Sequence, residues 1–251
     1  MFSLKKLISK IIGWYGFKLL SKNHIKNLRM ISKNTQLNTN NILDKVFGKT
    51  KINFLVQIGA NDGVRFDNLN FFIKKYKIKS VLVEPVKKYF LSLKSNYKEL
   101  DFVNLENCAI SVNEKKNYIY IVGEKFLNMY GNHIPGINSF DKNHLISHGV
   151  KKKHIEKKKI TSQTILSLIE KYSIKELDLL YVDTEGYDGK IVYEFIVKAK
   201  LKPIIIFEYI HIENKFFSKL INLLNEEKFK FFSINENLIC YPPNKDFLLE
   251  Y

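Results

Sequence analysis

The stretch Asn-Phe-Leu-Val-Gln-Ile-Gly-Ala-Asn-Asp-Gly at positions 53–63 decides the fold that we expect for this chain. Its apolar first half is typical of a buried parallel strand, and it leads into a turn with two glycines, Gly59 and Gly63. A second apolar run ends on Glu84, twenty-one residues after Gly63. Glycines let a ligand approach the backbone closely, and an acid about 20 residues later can bind a ribose diol. The stretch therefore predicts a nucleoside-containing cofactor at the carboxyl ends of parallel strands.

The same turn argues against a dinucleotide. Asn61 stands where the G-x-G-x-x-G fingerprint has its second glycine, which a pyrophosphate requires. A smaller ligand without phosphates does not need that glycine. We expect Asn61 and Asp62 to contact a charged tail of the ligand, and Gln57 at the strand end to hydrogen-bond an amino group.

The rest of the chain alternates between strand and helix patterns, which predicts an α/β fold with a mostly parallel sheet and helices on both faces. The predicted strands are 52–58, 80–84, 102–105, 177–182, 203–209, 229–234 and 238–241, with a further strand at 118–122. The predicted helices are 68–76, 86–97, 164–172, 190–199 and 216–227. The last two strands are too close for a crossover helix, so they form a hairpin and one of them is antiparallel.

Two later strands also end in acids. Asp183 and Glu185 follow one strand with Asp188 close behind, and Glu208 ends the next strand, three residues before His211. Carboxylates crowded at this edge must be paired, hydrogen-bonded or protonated, so at least one should have a perturbed pKa. A structural alternative is that Asp188 caps the following helix while Asp183 holds the loop by local hydrogen bonds.

A divalent metal is a second alternative for this acidic edge. Asp183, Glu185, Glu208 and His211 are residue types that could bind one. Acidic hydrogen-bond networks without a metal are at least as common, and we expect no metal at this site.

Residues 123–160 show no regular pattern and are predicted to form a variable loop or lid. Four of the six histidines lie there: His133, His144, His148 and His154. They lack the cysteines and the compact spacing of a structural zinc site. We expect one of them, His144, to reach the active site, where histidine is the usual general base at neutral pH.

The net charge of +16 comes almost entirely from lysine, since only Arg29 and Arg65 are arginine. Readers of nucleic acid usually need guanidinium groups for bidentate contacts, so we expect no nucleic-acid partner. Cys108 and Cys240 lie far apart and indicate neither a disulfide framework nor a metal site. These features favour a reducing, cytoplasmic setting.

Residues 1–45 are predicted to be a basic amphipathic extension ahead of a single large α/β domain at 46–251. The first twenty residues carry apolar side chains at helical spacing with lysines on the other side. Such a helix could bring residues 1–33 to an anionic membrane surface, or it could pack its apolar stripe on the domain, which we favour. The segment is too short and too often interrupted by lysine to span a bilayer, and no signal-peptide cleavage site follows it.

Six short motifs in order resemble the FkbM family of S-adenosylmethionine-dependent methyltransferases. They are Gln-Ile-Gly-Ala-Asn-Asp-Gly at 57–63, Val-Glu-Pro at 83–85, Asn-Cys-Ala-Ile-Ser at 107–111, Asn-Ser-Phe at 138–140, Ile-Thr at 160–161 and Asp-Thr-Glu-Gly-Tyr-Asp at 183–188. The resemblance implies a Rossmann-like class I fold with seven strands, the last antiparallel, and S-adenosyl-L-methionine as cofactor. Family members generally methylate hydroxyl groups of sugars, polyketides or other small metabolites.

The resemblance also implies a role for particular residues. Gly59, Asn61 and Gly63 would hold the methionine part of the cofactor, Glu84 the ribose hydroxyls, and Ala109 the adenine through its backbone. Asp183 and Glu185 would face the methyl group and the acceptor, with His144 and His211 as competing bases. Two positions depart from the family pattern: Gln57 replaces a common aspartate, and Tyr181 a common lysine.

These features leave three functions open. The first is O-methylation of a hydroxyl on a sugar, a glycan or another small metabolite. The second is RNA methylation, which the positive charge motivates. The third is a non-catalytic nucleotide-binding scaffold, against which the crowded carboxylates argue.

Overall fold

The computed structural model describes residues 39–65, 67–112 and 116–245. The predicted amphipathic helix in residues 1–33 lies outside this part of the chain. Within the described residues, no helix is long and apolar enough to cross a membrane.

The described residues form seven α-helices and eleven strands. The helices are α1 (Thr39–Lys49), α2 (Asn70–Tyr76), α3 (Lys87–Asn96), α4 (Lys142–Ser147), α5 (Ile165–Lys171), α6 (Asp188–Lys198) and α7 (Asn214–Glu226). The strands are β1 (Phe54–Ile58), β2 (Lys79–Val83), β3 (Val103–Glu106), β4 (Ala109–Ile110), β5 (Tyr118–Val122), β6 (Ile155–Lys159), β7 (Ser162–Gln163), β8 (Leu179–Val182), β9 (Ile204–Glu208), β10 (Lys230–Ile234) and β11 (Asn237–Tyr241).

Seven strands form one sheet in the order β3-β2-β1-β8-β9-β11-β10. Strand β11 runs antiparallel to both of its neighbours, and the remaining pairs are parallel. The last strand is thus inserted in the opposite direction, because the two-residue turn after β10 leaves no room for a crossover helix. The sheet confirms the predicted fold class and the predicted hairpin.

Helices cover both faces of the sheet because its central strands are apolar on both sides. In β1, Val56 and Ile58 contact the core on the face covered by α5, α6 and α7, while Leu55 faces the core formed with α1, α2 and α3. Strands β8 and β9 alternate in the same way. The rigid sheet therefore fixes the positions of the residues at its carboxyl edge.

Helix α1 is an element that the sequence analysis did not predict. Its residues Ile42, Leu43, Val46 and Phe47 are buried in the core beside α2. Their spacing of one, four and five residues is helical, but polar asparagines and a glycine interrupt the apolar pattern. The compact unit begins at Thr39, so the boundary predicted at residue 45 falls inside this helix.

Residues 123–160 are more regular than predicted. Strand β6 pairs antiparallel with β5, and α4 and two short 3₁₀ helices lie between them. A small core holds this segment together: Val122, Ile134, Ile137, Leu145 and Val150. The prediction of an irregular loop was wrong because β6 consists mainly of charged residues, whose side chains face solvent and leave no apolar alternation to detect.

Candidate active site

The candidate site lies at the carboxyl edge of the sheet, where neighbouring strands end in register. Ile58 pairs with Val83 and with Val182, and Val182 pairs with Phe207. The residues that follow these four are therefore at one level: Gly59, Glu84, Asp183 and Glu208. All four line a cavity of about 450 Å³, a size typical of small-molecule sites.

Gly59 lines this cavity, and no residue with a side chain fits at its position. Its φ of +89° lies in the left-handed region, and a Cβ atom would stand 1.7 Å from the carbonyl oxygen of Asp183. The N–H groups of Gly59 and Ala60 both donate to the carbonyl of Val83, at 2.9 and 3.0 Å. The turn thus brings bare backbone next to the end of β8.

Glu84 is buried at the end of β2 with its carboxylate held by the backbone. Oε2 accepts from the N–H of Asn61 at 2.9 Å, and Oε1 accepts from the N–H of Val86 at 2.7 Å. Burial raises the pKa of Glu84 to about 7, although these hydrogen bonds oppose the shift. Each oxygen retains a lone pair for a ligand hydroxyl.

Three predicted cofactor residues lie outside the cavity wall. Gln57 donates to Asp67 on the other face of the sheet at 3.1 Å, and Asp62 accepts from the backbone of Val64 and from Arg65. Gly63, with φ +71°, packs against α3, where a Cβ would come within 2.5 Å of a leucine methyl. These residues shape the turn, and their predicted ligand contacts stay predictions.

The other predicted cofactor residues, Asn61 and Ala109, do line the cavity. Ala109 lies in an apolar wall with Cys108 and Ile110. Its N–H donates to the carbonyl of Thr161 at 2.9 Å, so this N–H is already used within the protein. A planar ligand would contact the wall through apolar surface.

The three acids after β8 have different surroundings. Asp188 is buried, and its two oxygens accept from the N–H groups of Thr184 and Gly186. It is therefore Asp188, and not Asp183 as the structural alternative supposed, that holds this loop. Asp183 lines the cavity, and no group in the described part of the chain donates to its carboxylate. Glu185 has a left-handed φ of +55°, and its Oε2 lies 2.8 Å from Nε2 of His144.

The cavity is strongly acidic although the protein is basic. Five carboxylates line it: Glu84, Asp183, Glu185, Glu208 and Glu236. Among the described residues, no lysine or arginine does. Burial, with repulsion between the carboxylates, raises the pKa of Asp183 to about 7, that of Glu185 to about 7 and that of Glu208 to about 9. Oε2 of Glu208 is buried without a hydrogen-bond partner. Such a site favours a cationic ligand, because a nearby positive charge would lower these raised pKa values and stabilise the ionised carboxylates.

Three histidines converge on Glu185. His144 and His148 come from α4 and the residue that ends it, and His211 follows β9. Sequence reasoning included His144 and His211 but missed His148. His144 and His148 are four residues apart, and this spacing indicates that the two rings lie close together only once α4 is known to be a helix. His133 is exposed at the rim of the cavity. His154 lies away from the site, where its ring is hydrogen-bonded to the hydroxyl of Tyr130.

Tyr181, which departs from the family pattern, does not reach the cavity. Its side chain is buried on the face of the sheet opposite Val182, and its hydroxyl accepts from Asn68 at 3.3 Å. The residue therefore contributes to the core beside β1.

The family model described as the methyltransferase FkbM domain matches residues 57–231. Among curated proteins, none matches this sequence significantly. The solved structures to which it is similar are distant in sequence. A methyltransferase from Geobacter sulfurreducens is 10% identical with a TM-score of 0.43, and the match covers 93% of this chain and 96% of that one.

Two further solved structures have similarly low sequence identity to this chain. The methyltransferase FkbM from Methylobacillus flagellatus KT is 12% identical with a TM-score of 0.44, and the match covers 76% of this chain and 44% of that one. The METTL16 methyltransferase domain is 11% identical with a TM-score of 0.45, and the match covers 89% of this chain and 70% of that one. The family match extends over well more than half of the sequence and includes the turn after β1, Glu84 and the acids after β8. The chain therefore belongs to the FkbM family of methyltransferases.

Proposed function

We propose that this enzyme transfers the methyl group of S-adenosyl-L-methionine to a hydroxyl group of a sugar, a glycan or another small hydroxylated metabolite. One observation carries the proposal. The cavity at the sheet edge is lined by five carboxylates and, among the described residues, by no lysine or arginine. This charge suits a cationic donor and an uncharged, hydroxyl-bearing acceptor.

The half of the cavity above β1, β2 and β3 suits the donor. Glu84 can accept the hydrogen bonds of a ribose diol, and the wall formed by Cys108, Ala109 and Ile110 offers apolar surface to the adenine. Gly59 and Asn61 line this half as well and would lie beside the amino-acid part of the ligand. When bound, the donor supplies a sulfonium methyl carbon, whose S–CH₃ bond breaks with its electron pair remaining on sulfur as the O–CH₃ bond forms.

The half above β8 and β9 suits the acceptor. Asp183 lines this half, and its carboxylate has a pKa of about 7, so at neutral pH it is ionised in part and can take the proton of an acceptor hydroxyl. Glu185 can orient that hydroxyl, since its own position is fixed by the hydrogen bond with His144. His144 and His211 are the competing bases, because burial lowers the pKa of both and keeps their rings neutral.

RNA methylation is the second candidate, favoured by the net charge of +16. The distribution of that charge argues against it. A nucleotide acceptor would bring phosphates to a cavity that carries only acidic charged side chains in the described chain, and like charges repel strongly where water is excluded. The crowded carboxylates also argue against a non-catalytic scaffold, because keeping them together is costly without a ligand.

The proposed function is tested by transfer of labelled methyl groups. The full-length protein is incubated with S-adenosylmethionine labelled in its methyl group, and with glycan and small polyol pools or with total RNA in separate reactions. We expect label in the glycan or polyol fraction, stable to base in the manner of an ether. Label in RNA alone would contradict the proposal, and a protein that binds the donor without transferring label to any acceptor pool would favour the scaffold.

A further inference from the structure

Four side chains from three separate segments gather beside the cavity. They are His144, His148, Glu185 and His211, and each offers a ligand atom that lies within 4.8 Å of the other three. The ring centroid of His144 lies 4.7 Å from those of His148 and His211, which are 5.4 Å from each other. We call these four residues the histidine cluster.

Each member of the histidine cluster is positioned by a defined element. His144 and His148 are four residues apart at the end of α4, so both rings lie on one face of the helix. A pair of histidines at this spacing is a common way to bind zinc. Glu185 and His211 come from the loops after β8 and β9, which are adjacent parallel strands. The sheet therefore holds one half of the cluster and α4 brings the other.

We propose that the histidine cluster binds one divalent first-row transition-metal ion, of which Zn²⁺ is the representative. Three imidazole nitrogens and one carboxylate oxygen are ligands that suit Zn²⁺, Fe²⁺ or Ni²⁺, whereas Mg²⁺ and Ca²⁺ prefer oxygen ligands throughout. Four such atoms around Zn²⁺ at about 2.0–2.1 Å would be roughly 3.3 Å apart, so the cluster must contract slightly on binding.

The electrostatic surroundings also favour a cation. Asp183 and Glu208 lie beside the cluster, and Oε1 of Glu208 is 3.6 Å from Nε2 of His211. No lysine or arginine lines this part of the cavity in residues 39–65, 67–112 and 116–245. Burial and the neighbouring rings lower the pKa of His148 and His211, which keeps these imidazoles in the neutral form that binds metals.

A hydrogen-bond network without a metal is the competing explanation. The only hydrogen bond within the cluster, as far as the described residues show, joins His144 to Glu185. The rings of His148 and His211 pack against His144 at tilted and perpendicular angles without such a bond. Three neutral imidazoles side by side have little to gain from one another, whereas an ion between them would bind all four groups.

The expected role of the ion rests on the proposed function. The cluster adjoins Asp183 on the acceptor side of the cavity, so a bound cation that accepts a fifth ligand would hold the acceptor oxygen and lower the pKa of its hydroxyl group. Asp183 would still take the proton. The binding of the metal itself does not depend on the donor or the acceptor.

The metal site is tested on the untagged full-length protein after dialysis against a chelator. Zn²⁺ alone is titrated by calorimetry into the wild type and into His148→Ala, and Co²⁺ is added in parallel because its visible spectrum reports the number and type of ligands. His133→Ala is the matched control, since this histidine belongs to the same loop and lies near His148 but outside the cluster. Circular dichroism checks that each variant is folded.

We expect one tight Zn²⁺ site in the wild type and in His133→Ala. Loss of residues that merely support a metal ligand costs 10- to 100-fold in affinity, so loss of the ligand His148 should cost at least about 100-fold. His211→Ala is the second variant and should behave like His148→Ala. A wild type without a tight site, or two cluster variants that bind Zn²⁺ as the wild type does, would overturn the proposal. Zn²⁺ binding that depends on the cluster in a protein unable to bind S-adenosylmethionine would refute the proposed function and leave the metal site intact.

Discussion

The variant Asp183→Asn should lower kcat by about 10²- to 10⁴-fold, the range expected for loss of a positioned general base. Asparagine keeps the size of the side chain but cannot take a proton. Asp183 lines the cavity, its carboxylate has no hydrogen-bond donor among the described residues, and its pKa of about 7 suits proton transfer at neutral pH. Because Glu84 and the apolar wall remain, the affinity for S-adenosylmethionine should change little. Steady-state kinetics and calorimetry on the same preparation separate the two effects.

Glu236→Gln is the matched control for this prediction. It removes a carboxylate from the exposed rim of the same cavity, so it reports the effect of lost negative charge without loss of the base. Its kcat should fall far less than that of Asp183→Asn. Turnover of Asp183→Asn close to the wild-type value would show that Asp183 is not catalytic and would direct attention to His144 and His211.

The variant Gly59→Ala should abolish binding of S-adenosylmethionine and lower the free energy of unfolding by at least about 3 kcal/mol. The added Cβ would lie 1.7 Å from the carbonyl oxygen of Asp183, which is backbone and cannot rotate away. The left-handed φ of +89° adds strain for any residue with a side chain. To relieve the overlap, the turn after β1 must separate from the end of β8. Chemical denaturation and calorimetry measure the two losses.

Alanine substitutions at two other glycines distinguish the two expected causes of instability in Gly59→Ala, which are the steric clash of the Cβ atom and the strain of a left-handed φ. A Cβ added at Gly48 in α1 would meet no other described segment within 4 Å, and this glycine has no left-handed φ, so Gly48→Ala should change stability by no more than about 1 kcal/mol. Gly149 has a φ of +83° but equally open surroundings, so Gly149→Ala should cost only the backbone strain of about 1–2 kcal/mol. A Gly59→Ala protein as stable as Gly149→Ala would contradict the proposed clash.

The sheet could be predicted from the sequence because its central strands are mainly apolar runs that are followed by, or end in, a glycine or an acid. The run from Ile204 to Phe207 is fully buried, and nothing but a strand covered on both faces fits it. Helix α1 and strand β6 escaped prediction for the opposite reason. Their apolar residues are few and lie among polar or charged ones, and tertiary contacts determine their structure.

The site residues at the ends of strands could be predicted from the sequence. Those in the segment formed by residues 123–160 could not all be predicted. Glu84, Asp183 and Glu208 follow strands whose register is fixed by the sheet, so their proximity follows from strand order. His148 joins the site only through the fold of α4, which six residues of weak pattern do not reveal. Gln57 and Asp62 were assigned to the ligand by position in the motif, and only the structure reveals that their side chains also contact Asp67 and Arg65.

Calorimetric titration of S-adenosylmethionine into the wild type and Glu84→Gln, each at pH 6 and pH 8, tests the central claim most directly. Glu84 has a pKa of about 7 in the free protein, so it is mostly protonated at pH 6 and mostly ionised at pH 8. If the carboxylate binds the ribose hydroxyls, the wild type should bind one donor per chain and lose about tenfold in affinity at pH 6. Glu84→Gln should bind more weakly at pH 8 and lose this part of the pH dependence, while any titration of the ligand itself affects both proteins alike. Equal affinities and equal pH dependence in the two proteins, or no binding to the wild type at all, would contradict a donor site formed by Gly59 and Glu84.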